Sequence, residues 1–162
     1  MATVINTKRN TQKRKKSLKA GMTEREFGSI VSKSFGEFGA GGGALVLFGE
    51  NSAYPHGTTK EHPLKEGDIV LIDGGCSVEG YGSDITRTTV FGKATQRQTD
   101  VWNLEKKAQA AGFAAAKLGA PCEAVDAAAR KGLTDAGFGP GYKAPGLPHC
   151  SGHGIGMDRA QW

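Results

Sequence analysis

Two stretches of this chain, 98 residues apart, share one frame: Lys19-Ala20-Gly21 matches Lys117-Leu118-Gly119, and Gly39 matches Gly137. Between those markers Phe27 falls on Val125, Lys33 on Lys131 and Phe35 on Leu133. A repeat at fixed offset constrains the architecture more than any local signal, because both copies must bury equivalent faces. The first copy opens at Thr23-Glu24-Arg25-Glu26, where Thr23 can cap a helix and Glu26 completes a capping box. Phe27, Ile30, Val31, Phe35 and Phe38 recur at helical spacing up to Gly39 and read as core. A second helix is predicted over 99–117, with Val101, Leu104, Ala108, Ala111 and Ala115 on one side. Gly119-Ala120-Pro121 breaks it, and Cys122, Val125, Ala129, Leu133 and Ala136 form another stripe that ends at Gly137. The duplicated unit reads as helix, helix and strands.

Between the copies lies a tight β-hairpin, residues 69–91, with a turn around Val78-Glu79-Gly80. Folding it about its midpoint sets Asp73 opposite Asp84, with Cβ atoms roughly 4.5–5.5 Å apart. Two carboxylates that close repel, and one takes up a proton unless a cation sits between them. Asp73 shares its face with Ile69 and Leu71 by the alternation of a strand, where a charge is costly without a partner. Ser151-Gly152-His153-Gly154-Ile155-Gly156 adds a histidine in a glycine frame. Two carboxylates and an imidazole make a candidate divalent-metal site. An Asp-x10-Asp spacing is also common by itself, and each aspartate alone suits a strand end or a turn.

At 162 residues the chain has room for one domain with an adequate core, and no long apolar run marks a membrane span. The opening residues do not read as a cleavable signal, and the expected compartment is the cytoplasm. Three scattered cysteines, Cys76, Cys122 and Cys150, fit reduced thiols better than a disulfide framework. The formal charge of +5 is concentrated: Lys8, Arg9, Lys13, Arg14, Lys15, Lys16 and Lys19 all fall within the first 20 residues. That segment reads as a basic N-terminal helix or tail, residues 1–20, ahead of a domain over 21–162. Aromatics are not interleaved in it, so a solvated face is favoured over a nucleic-acid surface, and nucleic acid is not expected as a partner.

The segments Asn51-Ser52-Ala53-Tyr54-Pro55-His56-Gly57, Gly67-Asp68 through Phe91, and His149-Cys150-Ser151-Gly152-His153-Gly154-Ile155-Gly156 together resemble the pita-bread metallopeptidases. That family includes methionine aminopeptidase, aminopeptidase P and prolidase. The likeness runs from about Met22 to Met157, with three motifs in the family's order. Ser83-Asp84-Ile85-Thr86-Arg87-Thr88, and a histidine four residues before the glycine-framed one, resemble the Xaa-Pro branch more than the methionine branch.

This resemblance implies an α+β fold, with helices packed outside a curved, mostly antiparallel sheet and the site on its concave face. It implies that Asp73 binds one metal, Asp84 bridges two, and His153 is the imidazole ligand of the second. His56 corresponds to a histidine beside the scissile amide, and His149 to the pocket histidine of the Xaa-Pro branch. Hard oxygen ligands suit Mn²⁺ foremost, with Co²⁺, Zn²⁺ or Fe²⁺ as alternatives, and two such ions activate a water. The implied substrate is a peptide with proline second, and a homodimer is compatible with the family. By themselves His56, in a Pro-His-Gly run, suits an exposed loop equally well, and His62 in Lys60-Glu61-His62-Pro63 reads as surface. Cys150 beside His149 lacks a partner group that would make it a nucleophile or zinc ligand.

The sequence departs from the family after Gly156. Ala160 stands where a histidine assists the tetrahedral intermediate, and Gln161 where an acid is usual. Two later glutamates that complete the metal set have no counterpart. The expectation is a C-terminally truncated chain with its second half incomplete, weak metal binding and inefficient turnover. Two other classes stay open: a catalytically dead pita-bread protein that binds RNA or a protein partner, and a methionine aminopeptidase-like or creatinase-like hydrolase.

Overall fold

A computed structural model of the chain describes residues 15–37 and 39–157. The basic residues up to Arg14, Phe38 of the first apolar stripe, and Ala160 and Gln161 lie outside the described residues. Two compact units are present, one extending to Ala94 and resuming at Gly154, the other Thr95–His153.

The first unit begins with helix α1 (Glu24–Glu37). Its start is the predicted capping box: Thr23 N donates to Glu26 Oε2 (2.8 Å) and Glu26 N donates to Thr23 Oγ1 (3.2 Å). Phe27, Val31 and Phe35 of the expected stripe are fully buried. They pack against an antiparallel sheet of β1 (Gly41–Phe48), β2 (Ile69–Val78), β3 (Tyr81–Gly82) and β4 (Ile85–Val90), with β2 central. Ala44, Val46 and Phe48 of β1 and Val70, Ile72 and Cys76 of β2 face the helix, and Leu64 closes the cluster. Each large apolar side chain buried there stabilises the unit by about 1.5–3 kcal/mol. Glu24, at the head of α1, ties the helix to the following loops. Its carboxylate accepts from Phe48 N (2.8 Å), Asn51 Nδ2 (3.1 Å) and His62 N (3.4 Å).

The second unit holds α2 (Gln96–Ala115) and α3 (Cys122–Asp135), packed on each other. The first of these starts three residues before the predicted boundary, because Thr95 caps it and Gln98 completes a capping box. Ala108 and Gly112 are the buried residues of α2. Ala111, expected in the stripe, is exposed, and bare Gly112 takes that role by approaching Ala129 and Val125. Phe113 is 83% exposed and Leu118 fully so.

The repeat holds to the residue. Helices α1 and α3 are each 14 residues long, and both ends are displaced by 98 (24 to 122, 37 to 135). Before them, Met22 N donates to Lys19 O and Ala120 N to Lys117 O. After them, Gly39 N bonds Gly36 O and Ala40 N bonds Phe35 O, while Gly137 N bonds Thr134 O and Phe138 N bonds Leu133 O. Both exits are the same Schellman motif, with a left-handed glycine (Gly39 φ 67°, Gly137 φ 86°) that no branched residue would tolerate.

Candidate active site

The hairpin forms, two residues out of the expected register. Its turn is Glu79-Gly80, both at positive φ (52° and 80°), which is a type I′ turn closing the pair Val78–Tyr81. Asp73 therefore pairs with Thr86 and not with Asp84. The turn centre lies one residue later than the spacing predicts, because a type I′ turn puts its two left-handed positions at Glu79 and Gly80. A two-residue shift leaves facing unchanged along β2 and β4, so Asp73 keeps its face, and Asp84 falls one residue before β4, beside Gly75.

That face is the one turned away from α1. Burial alternates along β2, with Val70, Ile72, Gly74 and Cys76 buried and Ile69, Leu71, Asp73 and Gly75 half-buried. Asp73 lies between Leu45 of β1 and Thr86 of β4. Its Oδ1 accepts a 2.6 Å hydrogen bond from Thr86 Oγ1, a partner that the sequence reading missed along with the register.

Asp84 is positioned by an interruption in the ladder just before β4. Ser83 N donates to Cys76 O (2.8 Å), but the return bond from Cys76 N goes to the Ser83 hydroxyl (3.0 Å) and not to the Ser83 carbonyl. The hydroxyl is buried and also lies 3.1 Å from Cys76 O. The Ser83 carbonyl lies over Gly75, so that a Cβ there would sit 2.0 Å from its oxygen and 3.7 Å from the Asp84 Cα. Gly75 is bare where a side chain would otherwise stand between the two aspartates. Asp73 and Asp84 supply hard carboxylate oxygens, the donor type that suits a divalent cation. Among the described residues, no group of three or more His, Cys, Asp or Glu gathers around one point.

His56 is exposed, in a turn where Gly57 N donates to Tyr54 O (3.0 Å). Gly57 rests against Leu47 and Leu45, whose side chains belong to the Asp73 face, so the turn carrying His56 lies over that face. His62 is not the surface residue that its neighbours implied. It is half-buried, with Nε2 2.9 Å from Asp68 Oδ2, and that oxygen also accepts from Lys65 N. The Lys65–Asp68 turn brings Asp68 back to His62, a closure that composition does not reveal.

His149 and His153 belong to the second unit, both exposed, on the segment that follows α3. His149 Nδ1 is 3.0 Å from Cys150 O. The segment is gripped by Asp126 and Arg130, one turn apart on α3, which the sequence reading did not single out. Arg130 Nε donates to Asp126 Oδ2, and Nη2 reaches Asp126 Oδ1 and the carbonyl of His149 (2.6 Å). Its Nη1 donates to the carbonyls of Gly141 (2.8 Å) and Leu147 (2.6 Å). Asp126 Oδ1 accepts from the amide (2.9 Å) and the hydroxyl of Ser151. The Arg130 guanidinium, with the Ser151 hydroxyl second, holds the Asp126 carboxyl down to about 2, against a smaller opposing effect of desolvation. The same bond to Asp126 raises Arg130 above its usual value.

Solved structures share this architecture. An X-Pro aminopeptidase from Thermotoga maritima superposes with a TM-score of 0.88 at 28% identity, over 99% of this chain and 45% of that one. A prolidase from Thermococcus sibiricus gives 0.89 at 30% identity, over 99% and 44%. The fold is thus the pita-bread α+β architecture of these enzymes. An uncharacterized peptidase of Staphylococcus saprophyticus is 35% identical over 148 residues, which is 90% of this chain and 41% of the relative. A Staphylococcus haemolyticus counterpart is 34% identical over the same length. The chain spans about two fifths of the curated relatives it matches. The pattern of metallopeptidase family M24 extends over residues 7–161, nearly end to end, and the chain belongs to that family.

Proposed function

We propose that this chain carries part of the site of a metal-dependent exopeptidase that removes an N-terminal residue from peptides with proline second. The observation that carries the reading is Asp73, on the sheet face turned away from α1, with Asp84 beside the bare Gly75 two residues further along β2, in a chain of a metallopeptidase family. Asp73 and Asp84 would hold divalent metal through carboxylate oxygens, with His153 as the imidazole donor by motif correspondence. Bound metal of this kind lowers the pKa of a coordinated water and polarises a carbonyl. Thr86 fixes one oxygen of Asp73 and leaves the other for a cation. His56, on a turn over the same face, would hydrogen-bond a peptide lying across it, and His149 would line the pocket of the residue after the cleaved bond. Proline preference is supported by the likeness to an X-Pro aminopeptidase and prolidases and by the histidine four residues ahead of His153.

Calorimetric titration of Mn²⁺, with Co²⁺ and Zn²⁺ alongside, tests the metal reading on this chain and on Asp84→Ala. Binding that disappears in the variant is expected, and equal binding by both proteins would refute the assignment. Hydrolysis of Xaa-Pro peptides against Met-Ala peptides in the presence of Mn²⁺ tests the substrate. Faster cleavage of Met-Ala would overturn the proline assignment.

A further inference from the structure

We infer that Asp126 and Arg130 are positioning residues for the two candidate-site histidines, acting by locking the segment 139–153 into one conformation. The inference rests on the proposed function only where it gives His149 and His153 a task. Arg130 uses all five of its N–H donors: two on Asp126 and three on the carbonyls of Gly141, Leu147 and His149. Its guanidinium also lies over the Tyr142 ring, 4.1 Å from the centroid. Asp126 fills both of its oxygens, holding Arg130 with one edge and Ser151 with the other. The pair thus fixes the segment at both ends and in the middle, and Ser151 stands two residues from His153. Side chains of Asp126 and Arg130 are only 25% and 13% exposed, which strengthens these charge-assisted bonds relative to a surface pair.

Comparison of the two copies shows why a grip is needed here. Positions 126 and 130 correspond, 98 residues back, to Gly28 and Ser32, and 139–141 correspond to 41–43. In the first copy Gly28 and Ser32 are small, and β1 packs directly on α1: a Cβ on Gly28 would lie 3.8 Å from Ala44 O, and one on Gly43 3.2 Å from Ser32 Oγ. There 41–43 belong to a strand secured by its ladder to β2. In the second copy the equivalent segment is irregular, and Gly141 is secured by Arg130 instead. Side-chain bonds have taken over what backbone pairing does in the first copy.

The test compares this chain with Arg130→Lys and Asp126→Asn. Lysine keeps the charge but has three donors on a point charge and cannot reproduce the fork. Amide hydrogen exchange, without metal, is expected to accelerate at least tenfold at Ser151 and across 141–151 in both variants, while amides within α2 and α3 keep their protection. Unchanged exchange in the segment would overturn the inference, as would an equal loss in the helices, which would mean a general loss of fold. Mn²⁺ is then added, and broadening of the His149 and His153 ring C–H resonances is followed by NMR. Half-broadening is expected to need at least threefold more Mn²⁺ in the variants; equal sensitivity in a loosened segment would refute the positioning role. If Mn²⁺ broadens neither histidine in the unaltered chain, the metal reading fails, and the exchange result alone decides whether the pair locks the segment.

Discussion

Gly75→Ala is the sharpest single perturbation of the candidate site. A Cβ at residue 75 would start 2.0 Å from the Ser83 carbonyl oxygen, and Cβ contacts below 3.0 Å do not occur, so backbone must retreat by at least 1.0 Å. No flexible side chain can absorb that movement, because the obstacle is a carbonyl locked in place by the Ser83–Cys76 bonds. Overpacking of this sort costs about 1–3 kcal/mol. Disturbing two buried hydrogen bonds adds about 1 kcal/mol each. The sum is about 3–5 kcal/mol, a large share of the 5–15 kcal/mol typical of a domain. With a urea slope near 2 kcal/mol/M, the unfolding midpoint of the first unit should fall by about 1.5–2.5 M. Amide resonances of β2 and β4 report that transition. Gly80→Ala is the control: its φ is +80° but nothing lies within 4 Å, so only the left-handed backbone is penalised, by about 1–2 kcal/mol. If Gly75→Ala costs no more than Gly80→Ala, the argument that the Ser83 carbonyl dictates glycine there is wrong.

Acid should weaken the second unit. Asp126 has its folded pKa depressed from 3.8 to about 2, so its contribution is present above pH 4 and lost as the pH falls from about 4 to 2. The contribution is about 2 kcal/mol, and Asp126→Asn should flatten the pH dependence of unfolding in that window; an unchanged slope would contradict it. Glu24→Ala leaves Phe48 N, the buried Asn51 amide and His62 N without their shared acceptor. A loss of about 3 kcal/mol is expected by urea denaturation, and a loss below about 1 kcal/mol would show that water replaces the carboxylate.

Much of the scaffold was legible because its signals are local. Thr23 with Glu26, the left-handed Gly39 and Gly137, and the spacing of Phe27, Val31 and Phe35 each depend on residues within a few positions of one another. Asp73 was likewise placed on the correct face by alternation alone. What stayed hidden depends on geometry that spacing does not encode. The partner of Asp73 follows from which two residues occupy the I′ turn, and a one-residue error in the centre moved it from Thr86 to Asp84. His62 and Asp68 meet through a turn of the loop between them. Asp126 and Arg130 look in sequence like an ordinary i,i+4 surface pair, and only the returning segment reveals their five-fold use.

The two copies of the duplicated unit have thereby acquired different weaknesses. The ladder that zips β1 to β2 runs through backbone amides and has no ionisable group in it, so that seam should yield to agents that solvate peptide groups. The second copy depends on one carboxylate and one guanidinium, a latch that protons or competing anions can open without touching the helices. One ancestral frame thus supports a permanent seam in one half and a releasable clasp in the other, and the clasp is the one that carries the histidines.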